Sequence, residues 1–505
     1  MKIAFFLDIP QGLGGAGNAL LEQARIMNKI HDVIVVIPCS RVGEINTEYE
    51  RRCQKANLNY KSMYYKTAFY PQYIDIITAW EVFPNICDFI KDERIDFLHC
   101  VQLNIAVEMA SRKMEIPHLM NAYSLKQEEF NLCYMDIFPQ YHLSDSFVYC
   151  KVWGKNLHIE TKCIRPVAPL RSIKNKRNSY KNILRILMLG SVCEYKNQLS
   201  AIQAVEHCIK MGVQVSLTIT GNKESLYAQK CEQYIEQRKL SNSVRMIGFC
   251  EDVVPLLNEH DCLLCASRRE SFPCSIVEAM TYGLIIVSTP VAGVPELLVD
   301  GENAYISKGY TIDKIADCIN RCAEEYVSGA IQKIQKGAEK LWKNNFSEEV
   351  IQKKLDEYYL YIMRLNNTRT YNTLKKNIYV EKIYKIYEKL LKSNIEHEVV
   401  LSRCYYYAFL NLKLQYGKVY IWGAGKYGKI AKELISILFE NIDIKAFVDS
   451  RKIGEYLGIP IITPEDINLN KIDYVFLGFV EGQEQAILFL EKKGFKYNQN
   501  IWIIP

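Results

Sequence analysis

Apolar residues in the first third of the chain gather into short runs separated by longer amphipathic stretches. The runs Ile3–Ile9, Val33–Pro38, Ile95–Val101, His118–Ala122 and Ser146–Cys150 have the length and composition of strands, and the segments between them carry a helical period. Strands alternating with helices predict a parallel, doubly wound sheet. Pro166 to Ser179 interrupts the rhythm with an irregular, basic stretch that reads as a linker. A second series then follows: Ile183–Gly190, a helix from about Asn197, Val213–Gly221, a helix to about Leu240, Val244–Gly248, Cys262–Ala266 and Ile285–Ser288. Helical patterns from about Thr311 to Arg364 close it. Residues 367–416 form a Lys- and Tyr-rich helical connector with Ile383, Ile386, Tyr387, Leu390 and Leu391 at amphipathic spacing, which suits packing on a neighbouring domain better than membrane contact. A third α/β unit opens at Gly417. The expected division is therefore 1–170, 180–366, 367–416 and 417–505, an α/β chain with two large Rossmann-like domains and a small third one.

Length agrees with this division, since 505 residues at about 150 per domain suggest about three. A net charge of +6 spread over such a chain falls far short of the dense basic footprint of a dedicated nucleic-acid binder. The N-terminal apolar run breaks at Asp8, so it reads as a first strand and not as a signal peptide. The most apolar long window, Met280 to Val299, contains Gly283, Pro290, Gly293, Pro295 and Glu296 and predicts no membrane span. The 17 cysteines are scattered apart from Cys262/Cys265 and Cys318/Cys322, and no second Cys-x-x-Cys pair or histidine cluster completes a metal set. Reduced thiols in a cytosolic protein are the reading that follows.

The most specific chemistry lies in Glu270-Ser-Phe-Pro-Cys-Ser-Ile-Val-Glu278, directly after the apolar run Asp261-Cys-Leu-Leu-Cys-Ala-Ser267. This is a strand, a loop and a helix start, with one carboxylate in the loop and one in the first helical turn. Pro273 sets φ for helix entry, and the free N–H groups of a helix N-terminus suit a diphosphate. The segment resembles the signature of the family-four retaining glycosyltransferases of GT-B fold, in which two doubly wound Rossmann-like domains face each other across a cleft and a C-terminal helix of the second crosses back to the first. The resemblance extends over Val244-Arg-Met-Ile-Gly-Phe249, Ser288-Thr-Pro-Val-Ala-Gly-Val-Pro-Glu296 and Asp300-Gly-Glu-Asn303, in the family's order and spacing.

That resemblance implies retaining transfer of a sugar from a nucleotide-sugar donor to a saccharide or lipid-linked saccharide acceptor, in surface polysaccharide or glycoconjugate synthesis. It also implies a metal-free mechanism, and the Asp-x-Asp pair of the other large glycosyltransferase fold is missing from the chain. By the same resemblance Glu270 contacts the donor sugar's hydroxyls as a catalytic residue. The backbone N–H groups of Cys274, Ser275 and Ile276 face the phosphates, and Glu278 takes the ribose hydroxyls. Gly190-Ser-Val-Cys-Glu-Tyr-Lys-Asn197 is similar to the family's loop in which an arginine and a lysine bind the diphosphate. Lys196 is present, and Ser191 stands where the arginine is usual. In Gly12-Leu-Gly-Gly-Ala-Gly-Asn18, Gly14 and Gly15 would approach the donor phosphate and the acceptor. His99 ends a strand-like run where ligand-binding residues of such sheets gather, and it is read either as a second catalytic residue or as a buried structural histidine. Tyr123 replaces another histidine of the family, and that role is not transferred to His118.

The third unit begins Lys418-Val-Tyr-Ile-Trp-Gly-Ala-Gly-Lys-Tyr-Gly428, a strand running into Gly-x-Gly-x-x-Gly, with Asp449 closing the next strand. Gly423, Gly425, Gly428 and Asp449 meet the context of a dinucleotide fingerprint. Without a Tyr-x-x-x-Lys pair the unit resembles nucleotide or nucleotide-sugar binding modules on sugar-modifying enzymes, with NAD(P) as the alternative ligand. Between Tyr60 and Phe83, Tyr64, Tyr65, Phe69, Tyr70, Tyr73 and Trp80 accompany Lys61 and Lys66. They suit either peripheral contact with the inner face of a membrane or ordinary packing. Two readings compete with a transferase: a nucleotide-sugar oxidoreductase or epimerase centred on the third unit, and a non-catalytic nucleotide-sugar sensor. Neither involves nucleic acid.

Overall fold

The computed structural model describes residues 1–8, 15–40, 43–65, 67, 73–102, 104–122, 141–157, 160–168, 182–250 and 252–368. Beyond these it describes 385–386, 389–390, 392–395, 410–411, 414, and 416–504 without 469, 480–481 and 497–498. The first series of elements is β1 (Lys2–Phe6), α1 (Gly15–Met27), β2 (Asp32–Cys39), α2 (Thr47–Lys55), β3 (Asn59–Tyr64), α3 (Tyr73–Glu93), β4 (Phe97–Val101), α4 (Ile105–Met114), β5 (His118–Asn121), β6 (Tyr141–Ser144), α5 (Phe147–Leu157) and β7 (Glu160–Cys163). Its strands form one parallel sheet in the order β3-β2-β1-β4-β5-β6-β7. Ile3, Phe5, Val33, Val35 and Phe97 share one core, while Ala4, Phe6, Ile34, Val36 and Leu98 are buried on the opposite face. A parallel sheet covered on both faces needs continuous apolar strands, which is why these runs were legible.

The second series is β8 (Leu184–Leu189), α6 (Gln198–Lys210), β9 (Val215–Thr220), α7 (Leu226–Gln237), β10 (Val244–Gly248), α8 (Val254–Glu259), β11 (Cys262–Cys265), α9 (Cys274–Thr281), β12 (Ile285–Ser288), β13 (Tyr305–Ile306), α10 (Ile312–Ser328), α11 (Gln332–Asn345) and α12 (Glu348–Thr368). The sheet is parallel in the order β10-β9-β8-β11-β12-β13. Successive residues of each strand alternate between two cores: Ile186, Leu264 and Val287 enter one, Leu187, Leu263 and Ile286 the other. Cys262 and Cys265 are buried within this sheet as small apolar residues.

Helix α12 leaves the second sheet and packs into the first. Ile351, Leu355, Tyr358, Tyr359 and Ile362 belong to the core of β1, β2 and β4. Glu348 receives Arg25 and Lys29, Asp356 meets the His31 ring at 2.8 Å, and Gln352 donates to the Ile26 carbonyl of α1.

The third unit consists of β14 (Gly417–Trp422), α13 (Lys426–Leu438), β15 (Ile442–Val448), β16 (Glu455–Tyr456), β17 (Ile459–Ile462), β18 (Tyr474–Leu477), α14 (Gln483–Lys492) and β19 (Ile501–Ile503). Its strand order is β16-β17-β15-β14-β18-β19, parallel except for the β16/β17 hairpin. Of the connector's amphipathic residues, Ile386 and Leu390 are buried, while Ile383, Tyr387 and Leu391 lie outside the described residues.

One expectation changes. The run Ser146–Cys150 is not a strand: β6 lies just before it, and Phe147 starts α5. Ser146 Oγ accepts the Tyr149 N–H at 3.3 Å and Glu296 accepts the N–H groups of Phe147 and Val148 at 3.0 Å, so side chains satisfy the first turn of a helix whose sequence looks strand-like. In the aromatic stretch, Tyr65 is fully buried and its hydroxyl donates to the carbonyls of Leu7 and Val36, which makes it a core residue and not a membrane contact. Phe69 and Tyr70 lie outside the described residues. No helix among the described residues is long and apolar enough to cross a membrane.

Candidate active site

Strand order in the second sheet reverses between β8 and β11, and a crevice opens beyond the carboxyl ends of strands at such a reversal. Gly190 leaves β8 at φ +130°, and Gly221, leaving β9 at φ +153°, lies so close that a Cβ there would sit 2.1 Å from the Gly190 oxygen. The chain then makes a 3-10 turn over Glu194–Lys196 and reaches Asn197, whose Nδ2 donates to the Ala266 carbonyl just after β11. Arg268 N–H in turn donates to the Tyr195 carbonyl at 2.7 Å. These ties set the two loops side by side. The Lys196 ammonium donates to the Glu270 carboxylate, and Ser267 Oγ donates to the same oxygen at 2.9 Å. Burial pulls the Lys196 pKa down, but the charge and hydrogen bond of Glu270 outweigh it and hold the ammonium above its ordinary range. Lys196, Gln198, Ser267, Glu270 and Ser275 line one recess here, floored by Leu189 and Cys265.

Helix α9 enters the same recess. Pro273 is its N-cap at φ −65°, and Ile276 N–H donates back to the Pro273 carbonyl, so the N–H groups of Cys274 and Ser275, without that of Ile276, head the helix. Burial raises the Cys274 thiol's pKa far above its usual value, so it stays protonated and uncharged. Ile276, Val277, Ala279 and Met280 face the core, and Glu278 is exposed on the opposite side. Ser191 is exposed, and its carbonyl accepts the Gln198 amide at 2.8 Å. Nearby, the Arg269 guanidinium lies 5.1 Å from the centre of the Tyr195 ring.

In the first sheet the outcome is different. Gly14 and Tyr123 lie outside the described residues, while Gly15 opens α1 with free space where a Cβ would stand. His99 is fully buried in β4, its Nδ1 2.6 Å from the Tyr359 hydroxyl and its Nε2 2.8 Å from Asn121 Oδ1. Burial lowers its pKa to about 3, against the opposing hydrogen bond of Asn121. Both ring nitrogens are engaged within the core, the arrangement that the structural alternative expects. His118 is likewise buried, between Glu108 and the Cys100 thiol.

Residues the sequence did not single out join the two sheets at this point. Ser271, next to Glu270, donates to the Asp145 carboxyl at the end of β6 and lies 3.0 Å from Ser146 Oγ. Arg165 donates to the Asp145 carbonyl and to Glu296, each at 2.6 Å. Asp145 and Ser271 stand 126 positions apart, so no local pattern marks them. Asp8, noted in the sequence only for breaking an apolar run, is buried and accepts the Tyr49 hydroxyl at 2.8 Å.

In the third unit the three glycines do three things. Gly423 turns at φ +118° against the Gly478 carbonyl, Gly428 packs α13 on the Gly423 oxygen, and Gly425 faces open space. Asp449 directly follows β15. Its carboxylate accepts the N–H groups of Ala424, Arg451 and Lys452, so it holds the loop itself.

Residues 171–340 match the family described as glycosyl transferases group 1, and residues 415–486 match that described as C2185-like, N-terminal. A glycosyltransferase from Rickettsia africae superposes with a TM-score of 0.60 at 17% identity, over 72% of this chain and 98% of that one. HepE of Anabaena, solved with UDP and glucose, superposes with a TM-score of 0.58 at 18% identity, over 71% of this chain and 99% of its own. The fold is GT-B. In this GT-B frame the recess of Lys196, Glu270 and α9 lies at the reversal point of the second sheet, and Asp145 of the first sheet meets Ser271 beside Glu270. The chain is also 26% identical to the poly(glycerol-phosphate) alpha-glucosyltransferase of Bacillus subtilis (strain 168) over 136 residues, 27% of this chain and 20% of that protein. It spans about a fifth to less than half of the length of the curated relatives it first matches.

Proposed function

We propose that the chain is a retaining glycosyltransferase that moves a sugar from a nucleotide-sugar donor to a saccharide or lipid-linked acceptor. The observation that carries this reading is the convergence of Lys196, Glu270 and the head of α9 at the strand-order reversal of the second sheet. As the glycosidic bond to the diphosphate breaks, negative charge builds on the leaving oxygen while the sugar becomes oxocarbenium-like. Lys196 and the N–H groups of Cys274 and Ser275 are placed to take that charge. Glu270, released from Lys196 when a diphosphate competes for the ammonium, is placed to hold the sugar's hydroxyls. Glu278 is assigned the ribose and Gly15 the acceptor side of the cleft. The similar structure of HepE, solved with UDP and glucose and with UDP-glucose, supports a nucleotide-sugar donor.

The deciding experiment incubates the protein with nucleotide sugars in the absence of acceptor and follows the released sugar by proton NMR. Slow release of nucleoside diphosphate together with sugar of the donor's own anomeric configuration supports the reading. Release of the opposite anomer contradicts retention, and no release from any donor contradicts the enzyme. We read the third unit as a module for a nucleotide or nucleotide sugar: the space at Gly425 favours close approach of a ligand, and the engagement of Asp449 with its own loop disfavours a dinucleotide ribose.

A further inference from the structure

In the free recess the Lys196 ammonium and the Glu270 carboxylate neutralise each other. Each phosphate of a sugar diphosphate carries negative charge, and the leaving oxygen gains more as the glycosidic bond breaks. One ammonium and the N–H groups of Cys274 and Ser275 leave part of that charge unmatched, and Ser191 brings a hydroxyl and no charge. A further cation stands at the rim. Arg269, the residue before Glu270, is exposed and has no ion pair among the described residues. Its guanidinium lies 5.1 Å from the centre of the Tyr195 ring, and the Lys196 ammonium lies 5.8 Å from the same centre. Two like charges at one ring repel each other, and an anion received by both removes that repulsion. The Arg268 N–H donates to the Tyr195 carbonyl at 2.7 Å and so fixes the backbone beside both cations. The Arg268 side chain is also exposed, but its charge is felt at the Tyr227 hydroxyl, which accepts the Leu199 N–H at 3.0 Å near the start of α6. Of two adjacent arginines, one is therefore stacked beside Lys196 and the other is not.

We propose that Arg269 is a second binding cation for a diphosphate in this recess, resting against Tyr195 in the free protein and turning onto the phosphate that Lys196 leaves unmatched. For the identity of the ligand the proposal rests on the donor-site reading above. The guanidinium presents parallel N–H groups that fit the oxygens of one phosphate, while an aromatic face holds the group without engaging those edges. A carboxylate partner would have to be given up when the ligand arrives, whereas contact with an exposed ring costs far less to leave. Arg269 also lies one peptide bond from Glu270. The turn of its side chain toward the phosphate and the release of Glu270 from Lys196 are thus two movements of one short loop, both driven by the same incoming charge.

The test is calorimetric titration of the full chain, Arg269→Gln and Arg268→Gln with UDP, GDP, ADP and inorganic pyrophosphate at one fixed ionic strength. Both side chains are exposed and both substitutions remove one positive charge, so the comparison separates a contact from a general charge effect. The nucleoside diphosphate that binds wild type is expected to bind Arg269→Gln roughly tenfold or more weakly, the size of a lost charged hydrogen bond, and Arg268→Gln unchanged. Equal binding to wild type and Arg269→Gln overturns the proposal and leaves the donor reading standing. An equal loss in the two variants also overturns it. Pyrophosphate has neither base nor ribose and so separates the two readings. If no nucleotide binds, but pyrophosphate binds wild type and is weakened in Arg269→Gln alone, the donor reading falls and the anion site stands. If neither the nucleotides nor pyrophosphate bind wild type, both fall.

Discussion

His99 is a buried and Lys196 a half-buried ionisable group, and their partners send them in opposite directions. Lys196 faces a carboxylate and stays charged, whereas His99 faces an amide and a phenol and stays neutral. A histidine whose pKa falls from 6.5 to about 3 on folding adds stability above 6.5, and that stability is lost as pH falls through this window, because the unfolded chain takes up the proton first. Replacing His99 with Gln is expected to destabilise the protein by about 1–3 kcal/mol at pH 8, where partners of buried hydrogen bonds are left unmatched, and to flatten the loss of stability between pH 6.5 and 5. Denaturant titrations at the two pH values measure both effects. A shift in the pH profile of sugar transfer, with stability unchanged, would instead make His99 catalytic. The sequence left His99 open because residue type and strand position are the same for a core and a catalytic histidine. Lys196 and Glu270 were legible because each stands at a fixed distance from a glycine or a helix start. Asp145 was not, since its significance arises from a contact made only after both sheets have formed.

At the scale of elements, strands buried on both faces announced themselves, while those with little to bury did not. β3 is largely exposed at the sheet edge and offers no apolar run to read, and β13 is two residues long. Ser146–Cys150 carries the β-branched and aromatic residues of a strand yet opens a helix, because Ser146 and a glutamate from the other sheet satisfy its first turn. Backbone packing at Gly221 and Gly293 sets the two loops of the recess. A Cβ at Gly221 would meet the Gly190 carbonyl at 2.1 Å, and one at Gly293 the Ser271 carbonyl at 2.6 Å. Gly221→Ala, at φ +153°, is expected to cost about 2 kcal/mol and to displace Gly190 from its register with Lys196. Parallel measurements of unfolding free energy and nucleotide-sugar affinity test this. A variant that loses stability but binds unchanged would show that the Gly190 loop does not shape the recess.

For the whole molecule, the sequence pattern carries two sheets of one rhythm and a third of another, while the return of α12 to the first sheet was expected from the GT-B resemblance and not from the pattern. The helix's apolar period shows that one face is buried but not against what. Leu355 is fully buried among residues of β1, β2 and β4, so Leu355→Ala is expected to cost about 2–5 kcal/mol and to loosen the first sheet's core. Hydrogen exchange would find lost protection in β1 and β2, and protection lost only in the second sheet would contradict that packing. The central claim is that a nucleotide sugar binds in the recess between β8 and β11. A thermal-shift screen of UDP-, GDP- and ADP-sugars on the full chain, Lys196→Ala and Gly425→Val tests it most directly. The expected result is stabilisation of wild type and Gly425→Val by one nucleotide sugar, lost in Lys196→Ala. Stabilisation that survives Lys196→Ala and disappears in Gly425→Val would place the ligand in the third unit and contradict the account.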